Sequence, residues 1–276
     1  MAITAQDVNK LRQMTGAGMM DCKKALVEAD GDFDKAVEIL RKKGQKVSAS
    51  RADRKTSEGR VIIKTNEDNT KGVLIAFTCE TDFVAMNDDF NALAQQVIDL
   101  AFDNAPADID ALNALPVDGM TLGEKIIENT GQIGEKLEIS AYEVLEGESV
   151  VPYIHSNKKL GVMVALQNVN GAAVEEAGKD VAMQIAAMNP VAVNKDAVDP
   201  TTVEKEIEIG KDQARQEGKP ENIIEKIAMG KLQKFFKENT LLSQTFVKDN
   251  SMTIEKYLDS VSKGLTVLNF KRISIG

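Results

Sequence analysis

An α+β protein is predicted, with a helical module at the N-terminus, a core of two similar hairpin-plus-helix blocks, and an inserted antiparallel helical hairpin. Three observations carry this. The first forty-odd residues show only helical periodicity. Two pairs of β-rich runs are each followed by an amphipathic helix. Between residues 200 and 239 a sparse apolar stripe runs through otherwise charged sequence.

In order along the chain, Thr4 and Asp7 resemble a capping box, and Val8, Leu11 and Met14 follow at helical spacing. Thr15-Gly16-Ala17-Gly18 stops that helix. A second helix runs from about Met19 to Ala29. A third, Phe33 to Lys43, places Phe33, Ala36, Val37 and Leu40 on one face, with Gly44 as its C-terminal stop. So small a core is marginal alone and suits docking. QKVSASRADRKTSEGR, starting at Gln45, is polar and locally basic. It reads as a linker or partly helical connector in preference to an RNA-binding stripe.

Runs from Arg60 to Thr65 and from Gly72 to Phe77 flank NEDNTK and predict a hairpin. A helix follows, with Phe90, Leu93, Ala94, Val97, Ile98 and Ala101 inward. The pattern echoes later: Val150 to His155 and Leu160 to Leu166 flank SNKK, and DVAMQIAAMNP is helical. Val203, Ile207, Gly210 and Ala214 line one helix of the hairpin. Ile223, Ile227 and Gly230, with Ile224 beside them, line the other, around the Gly-Lys-Pro turn at 218–220. One more helix and a last strand are expected to return to the second block. The domain limits expected are a docking module at 1–44, a linker at 45–59, a first core subdomain at 60–145, a second at 146–190 and 230–276, and the helical hairpin at 191–229.

Composition narrows the function. The net charge of −9 argues against a general nucleic-acid binder, and with aromatics at 4 % and no Trp there is no base-stacking platform. Cys22 and Cys79 form no CxxC, and the single histidine, His155, rules out a His-rich metal centre. With no signal-like start and no apolar run of spanning length, the expected location is the cytoplasm.

TGAGMMDCKKAL, from Thr15, lacks the P-loop frame and lies between helices. Its adjacent Met19 and Met20 cannot both face so small a core, so a soft contact for a partner stands level with a structural role. Neither cysteine has a histidine partner motif, and no enzyme emerges. CETDFVAMNDDF, from Cys79, crowds Glu80, Asp82, Asp88 and Asp89 around Phe83. The calcium-loop pattern is missing. Thr81 and Asp82 suit a turn or N-cap, and Asn87 and Asp88 a second cap. Phe83, between caps, is either tucked back on the core or presented outward, and the residues alone lean to the core.

TGAGMMDCKKAL, TDFVA at 81–85, GKP at 218–220 and LLSQTFVKD at 241–249, in this order over nearly the whole chain, resemble the bacterial elongation factor Ts family. The resemblance implies a guanine-nucleotide exchange factor for elongation factor Tu, with no cofactor or metal of its own, and a UBA-like N-terminal module that helps grip the GTPase domain. It implies that Thr81, Asp82, Phe83 and Val84 loosen the partner's Mg²⁺ and phosphate site, with Phe83 as a wedge. Arg12, Met19 and Met20 would dock the GTPase, and His155 would meet a distal domain of the same partner. The family commonly extends beyond the position of Gly276, so contacts made there would be weaker or absent; self-association through the helical hairpin stays open. The competing readings are a metal-dependent hydrolase using Glu80, Asp82 and Asp88, and a protein-binding adaptor without exchange activity.

Overall fold

The computed structural model describes residues 3–276. The helical start forms α1 (Ala5–Thr15), α2 (Met19–Glu28) and α3 (Phe33–Ser50). The Asp7 amide donates to the Thr4 hydroxyl and the Thr4 amide to the Asp7 carboxylate, the reciprocal cap expected from the spacing. Gly16 ends α1 at φ +66°, a conformation that costs glycine little. Val8, Leu11, Cys22, Ala25, Leu26 and Ala36 are among the buried core residues, with Phe33, Val37 and Leu40 packed against them.

Two details of these helices depart from the sequence reading. Met14 points outward: two steps of three residues carry it about 120° around the helix from Val8, and half-buried Thr15 bonds back to the Leu11 carbonyl instead. More consequentially, Gly44 does not stop α3, which runs six residues further, to Ser50. Gly44 is a crossing point. A Cβ on Gly131 would lie 2.3 Å from the Gly44 Cα, so these two glycines allow α3 and a later helix to touch backbone to backbone.

β1 (Glu58–Thr65) and β2 (Lys71–Cys79) form the first hairpin. After it come the single turn α4 (Asp82–Ala85), α5 (Asp88–Asn104), short α6 (Ile109–Asn113), the two-residue strands β3 (Pro116–Val117) and β4 (Met120–Thr121), α7 (Leu122–Ile133) and β5 (Glu138–Glu146). All six predicted inward residues of α5 are buried, and Phe90 stacks on Phe77 with ring centroids 4.9 Å apart.

The second block holds β6 (Ser149–Ile154), β7 (Leu160–Gln167) and α8 (Glu175–Met188). β6 and β7 pair antiparallel from Ser149 opposite Leu166 to Ile154 opposite Gly161. α9 (Pro200–Gln216) and α10 (Glu221–Asn239) make the helical hairpin. β8 (Thr245–Phe246), β9 (Asp249–Thr253), α11 (Ile254–Val261) and β10 (Thr266–Ser274) complete the chain. The two larger sheets have orders β1-β2-β5 and β10-β7-β6, so in each the third strand lies beside the second strand of the hairpin. That shared topology is what two related blocks would show.

The chain divides into two compact units. One comprises residues up to Ile62, Ile75–Tyr142 and Ser274–Gly276; the other, Ile63–Leu74 and Glu143–Ile273. The tip of the first hairpin therefore belongs to the second unit, where the Gly147 amide donates to the Thr70 carbonyl.

On α9 the stripe is as read, with Gly210 and Ala214 buried. On α10 it is displaced. Ile224, Ala228 and Leu232 face inward, whereas Ile223 is 38 % exposed and Gly230 has open space around it. Small residues decide the register: a Cβ on Gly210 would come within 3.1 Å of the Ala228 Cα, so Ala228 sits where the helices meet most closely.

Candidate functional site

The stretch around Phe83 is held from both sides. Glu80, with its side chain 16 % exposed, accepts two bonds from Arg51 Nη1 at 2.8 and 3.0 Å and one from the Lys136 amide at 2.7 Å. Burial works against ionisation of Glu80, but the Lys136 amide and the Arg51 guanidinium outweigh it and hold the carboxyl below its usual range. Thr81 precedes α4 at the N-cap position without making a side-chain cap bond. Its hydroxyl and amide instead donate to the two carboxylate oxygens of Glu135, at 2.7 and 3.0 Å. The buried Cys79 thiol donates to the Thr81 carbonyl at 3.2 Å.

Beyond this clamp α4 makes one turn. Ala85 faces inward, Val84 is half-buried and Asp82 is exposed. Phe83 is 80 % exposed, more than any other large apolar side chain among the described residues, and Met86 follows at 67 %. The leaning toward a core Phe83 is thus overturned. Both flanks of the turn are already committed, Thr81 to Glu135 and Ala85 to the interior, and on so short a turn Phe83, midway between them, faces out. Asn87 then caps α5 by accepting from the Asp89 amide at 2.8 Å, as its position predicts.

Arg12 is exposed on α1. Met19 and Met20 open α2, 41 % and 64 % exposed, so neither enters the small core. A groove lined by Thr15 and Gly16, by Asp89, Ala92 and Leu93 of α5, and by Asn129 and Gln132 of α7 brings the α1–α2 turn beside the start of α5. Arg12, Met19, Met20 and the Thr81–Val84 stretch thus share the first unit. His155 belongs to the second, in the turn after β6, with its Nδ1 2.9 Å from the Tyr153 hydroxyl.

The carboxylates of a hydrolase are not assembled: Glu80 is consumed by Arg51 and Lys136, and among the described residues no three His, Cys, Asp or Glu side chains are grouped to hold a metal. No helix among them is long and apolar enough to cross a membrane. Sequence reading passed over α7, which supplies Gly131 and Gln132 and leads into the Glu135–Lys136 corner. Its signals were present: a Thr121–Glu124 capping box and Gly134 just past the end.

The family model described as Elongation factor TS matches residues 80–276, beginning one residue before Thr81. Curated relatives named Elongation factor Ts extend the likeness to the N-terminal helices. The relative from Amoebophilus asiaticus is 57 % identical over 276 residues, covering all of both chains. That from Cytophaga hutchinsonii is 60 % identical over 274 residues, 99 % of each chain. That from Christiangramia forsetii is 54 % identical over 275 residues, again 99 % of each. On the full-length identity and the family match together, the chain belongs to the elongation factor Ts family.

Proposed function

We propose that this chain releases GDP from elongation factor Tu by presenting Phe83, on the α4 turn, to the partner's Mg²⁺ and phosphate site. It is a nucleotide exchange factor of translation elongation, acting by binding. The observation that carries the wedge role is the exposure of Phe83, 80 %, on a turn whose stem is fixed by three residues of its own unit, Arg51, Glu135 and Lys136. An aromatic ring left in water by a fold that buries Phe77 and Phe90 completely has an apolar surface available for a partner. Asp82 beside it brings negative charge toward the partner's cation, and Val84 supports the turn from within. Arg12, Met19 and Met20 grip the GTPase domain from a UBA-like module at 1–44, and His155 meets a distal domain. The segment 45–59 is the connector, 60–145 and 146–190 with 230–276 are the two core subdomains, and 191–229 is the projecting hairpin.

Magnitudes limit what the ring does alone. Shifting a partner from almost wholly GDP-bound to almost wholly GDP-free needs about 5.5 kcal/mol of differential binding, and burying one Phe supplies about 1.5–3 kcal/mol. The docking residues supply the remainder by binding the nucleotide-free partner more tightly than the GDP form. Because coupling is reciprocal, GDP weakens this chain's binding by the same factor. The test is Phe83→Ala in stopped-flow release of a fluorescent GDP from elongation factor Tu. Release is expected to slow by about tenfold or more while most of the affinity for the nucleotide-free partner is kept. Wild-type release by this variant would refute the wedge.

A further inference from the structure

We infer that Glu135 is a positioning residue for exchange, bracing the stem of α4 so that the docked body can drive the Phe83 ring into the partner. This rests on the reading of Phe83 given above. A single helical turn has no independent stability, and α4 has few attachments of its own: Ala85 is buried, and the Asn91 side-chain amide reaches the Ala85 carbonyl at 3.4 Å. An N-cap threonine ordinarily turns its hydroxyl onto an amide two or three residues ahead. Thr81 instead directs hydroxyl and amide together at one carboxylate, that of Glu135, at 2.7 and 3.0 Å. Two charge-assisted bonds to one group fix direction as well as distance. The preceding residue, Glu80, accepts from the Lys136 amide at 2.7 Å. Two consecutive residues of the stem are therefore tied to two consecutive residues of one corner.

That corner is itself fixed. Gly134 ends α7 at φ +83°, its amide returning to the Thr130 carbonyl, and the buried Thr130 hydroxyl accepts from the Leu137 amide at 3.3 Å. Upstream on the same helix Gly131 rests against Gly44 of α3, and Gln132 donates to the Thr15 carbonyl, four residues before Met19. One helix thus joins the turn that carries the docking methionines to the corner that holds the wedge. Without the Glu135 carboxylate the ring would still meet the partner, but on a stem free to give way.

The test uses the full chain, with maximal GDP release from elongation factor Tu and affinity for the nucleotide-free GTPase measured separately. Glu135→Ala is expected to lower the maximal rate on the order of fivefold, with the half-saturating concentration moving by less than about twofold. Glu135→Gln, which keeps one acceptor, recovers part of the loss, and Thr81→Ala reproduces part of it. In a Phe83→Ala background Glu135→Ala has no further effect, because the brace acts only through the ring. A normal rate for Glu135→Ala beside a slow Phe83→Ala would overturn the brace and leave the wedge standing. Independent, additive losses would overturn it too. A normal Phe83→Ala would bring down both. If Glu135→Ala does not fold by its denaturation midpoint, Glu135→Gln and Thr81→Ala carry the same comparison.

Discussion

Phe83 and Phe246 occupy similar stretches, Thr81-Asp82-Phe83-Val84 and Thr245-Phe246-Val247, and meet opposite fates. Phe83 is 80 % exposed; Phe246 is 4 % exposed and stacks on Tyr257 with centroids 4.3 Å apart. The difference lies in what the neighbouring polar groups do. Around Phe246 they turn inward: buried Gln184 donates to the Gln244 side chain and the Thr245 carbonyl, both at 3.1 Å, and accepts from the Val247 amide at 2.9 Å. Around Phe83 they form a clamp behind the residue and leave the ring in front of it. LLSQTFVKD is thus a polar lock on a core, and TDFV a mounted tip. A motif that marks a family marks either kind of constraint, and burial tells which.

The largest contrast is in stability. Phe246→Ala removes a ring from a closed core and is expected to cost about 3–5 kcal/mol in urea unfolding, with GDP release per folded molecule unchanged. Phe83→Ala should leave unfolding within about 0.5 kcal/mol while slowing release. If both variants lost stability alike, the division between lock and tip would fail.

A smaller contrast separates two helix glycines. Gly131→Ala would push a Cβ to 2.3 Å from the Gly44 Cα, where only backbone can yield. It is expected to cost about 1–3 kcal/mol and, by moving α7, to slow release as well. Gly230→Ala meets nothing within 4 Å on an exposed helical face and should stabilise by about 0.5–1 kcal/mol. Thermal midpoints of the two variants, moving in opposite directions, would sharpen the distinction between a crossing glycine and an idle one.

Gly44, opposite Gly131, also shows where the sequence is legible and where it is not. The hairpins and helices that were placed could be read because hydrophobic period is a local property, and all six inward positions of α5 followed from it, whereas α7 and β5 were passed over. Gly44 could not, because a helix-ending glycine and a helix-crossing glycine look alike until Gly131 stands opposite. The α10 stripe was displaced, from Ile223, Ile227 and Gly230 to Ile224, Ala228 and Leu232, for a related reason: Ile223 and Ile227 are more hydrophobic than Ala228, but the close contact with Gly210 admits only a small residue. At the site, Asn87 caps α5 as expected, but the acids of CETDFVAMNDDF make no cap bond: Thr81 holds the N-cap position of α4 without one, and Glu80 is taken by Arg51 and Lys136. The outward turn of Phe83 was hidden because Glu135, which holds Thr81, lies fifty-four residues along the chain. Periodicity cannot report a partner at that distance.

The smallest expected effect tests the lock itself. The Tyr257 hydroxyl donates to Asp180 at 2.9 Å, and Lys248 pairs with the same carboxylate at 2.6 Å. Burial first, then the hydrogen bond and the charge of Asp180, push the Tyr257 pKa up to about 12. The folded state therefore keeps this proton where the unfolded chain, with an ordinary tyrosine near 10, has lost it. Stability from this group is complete below pH of about 10 and is lost as pH rises toward about 12. Urea midpoints for wild type and Tyr257→Phe, compared across that window, isolate the group from the lysines that titrate alongside it. The gap between them should narrow as pH rises, because the variant has no phenol to ionise. A gap that stays constant would mean that Tyr257 ionises equally in both states and that its bond to Asp180 adds nothing to the lock.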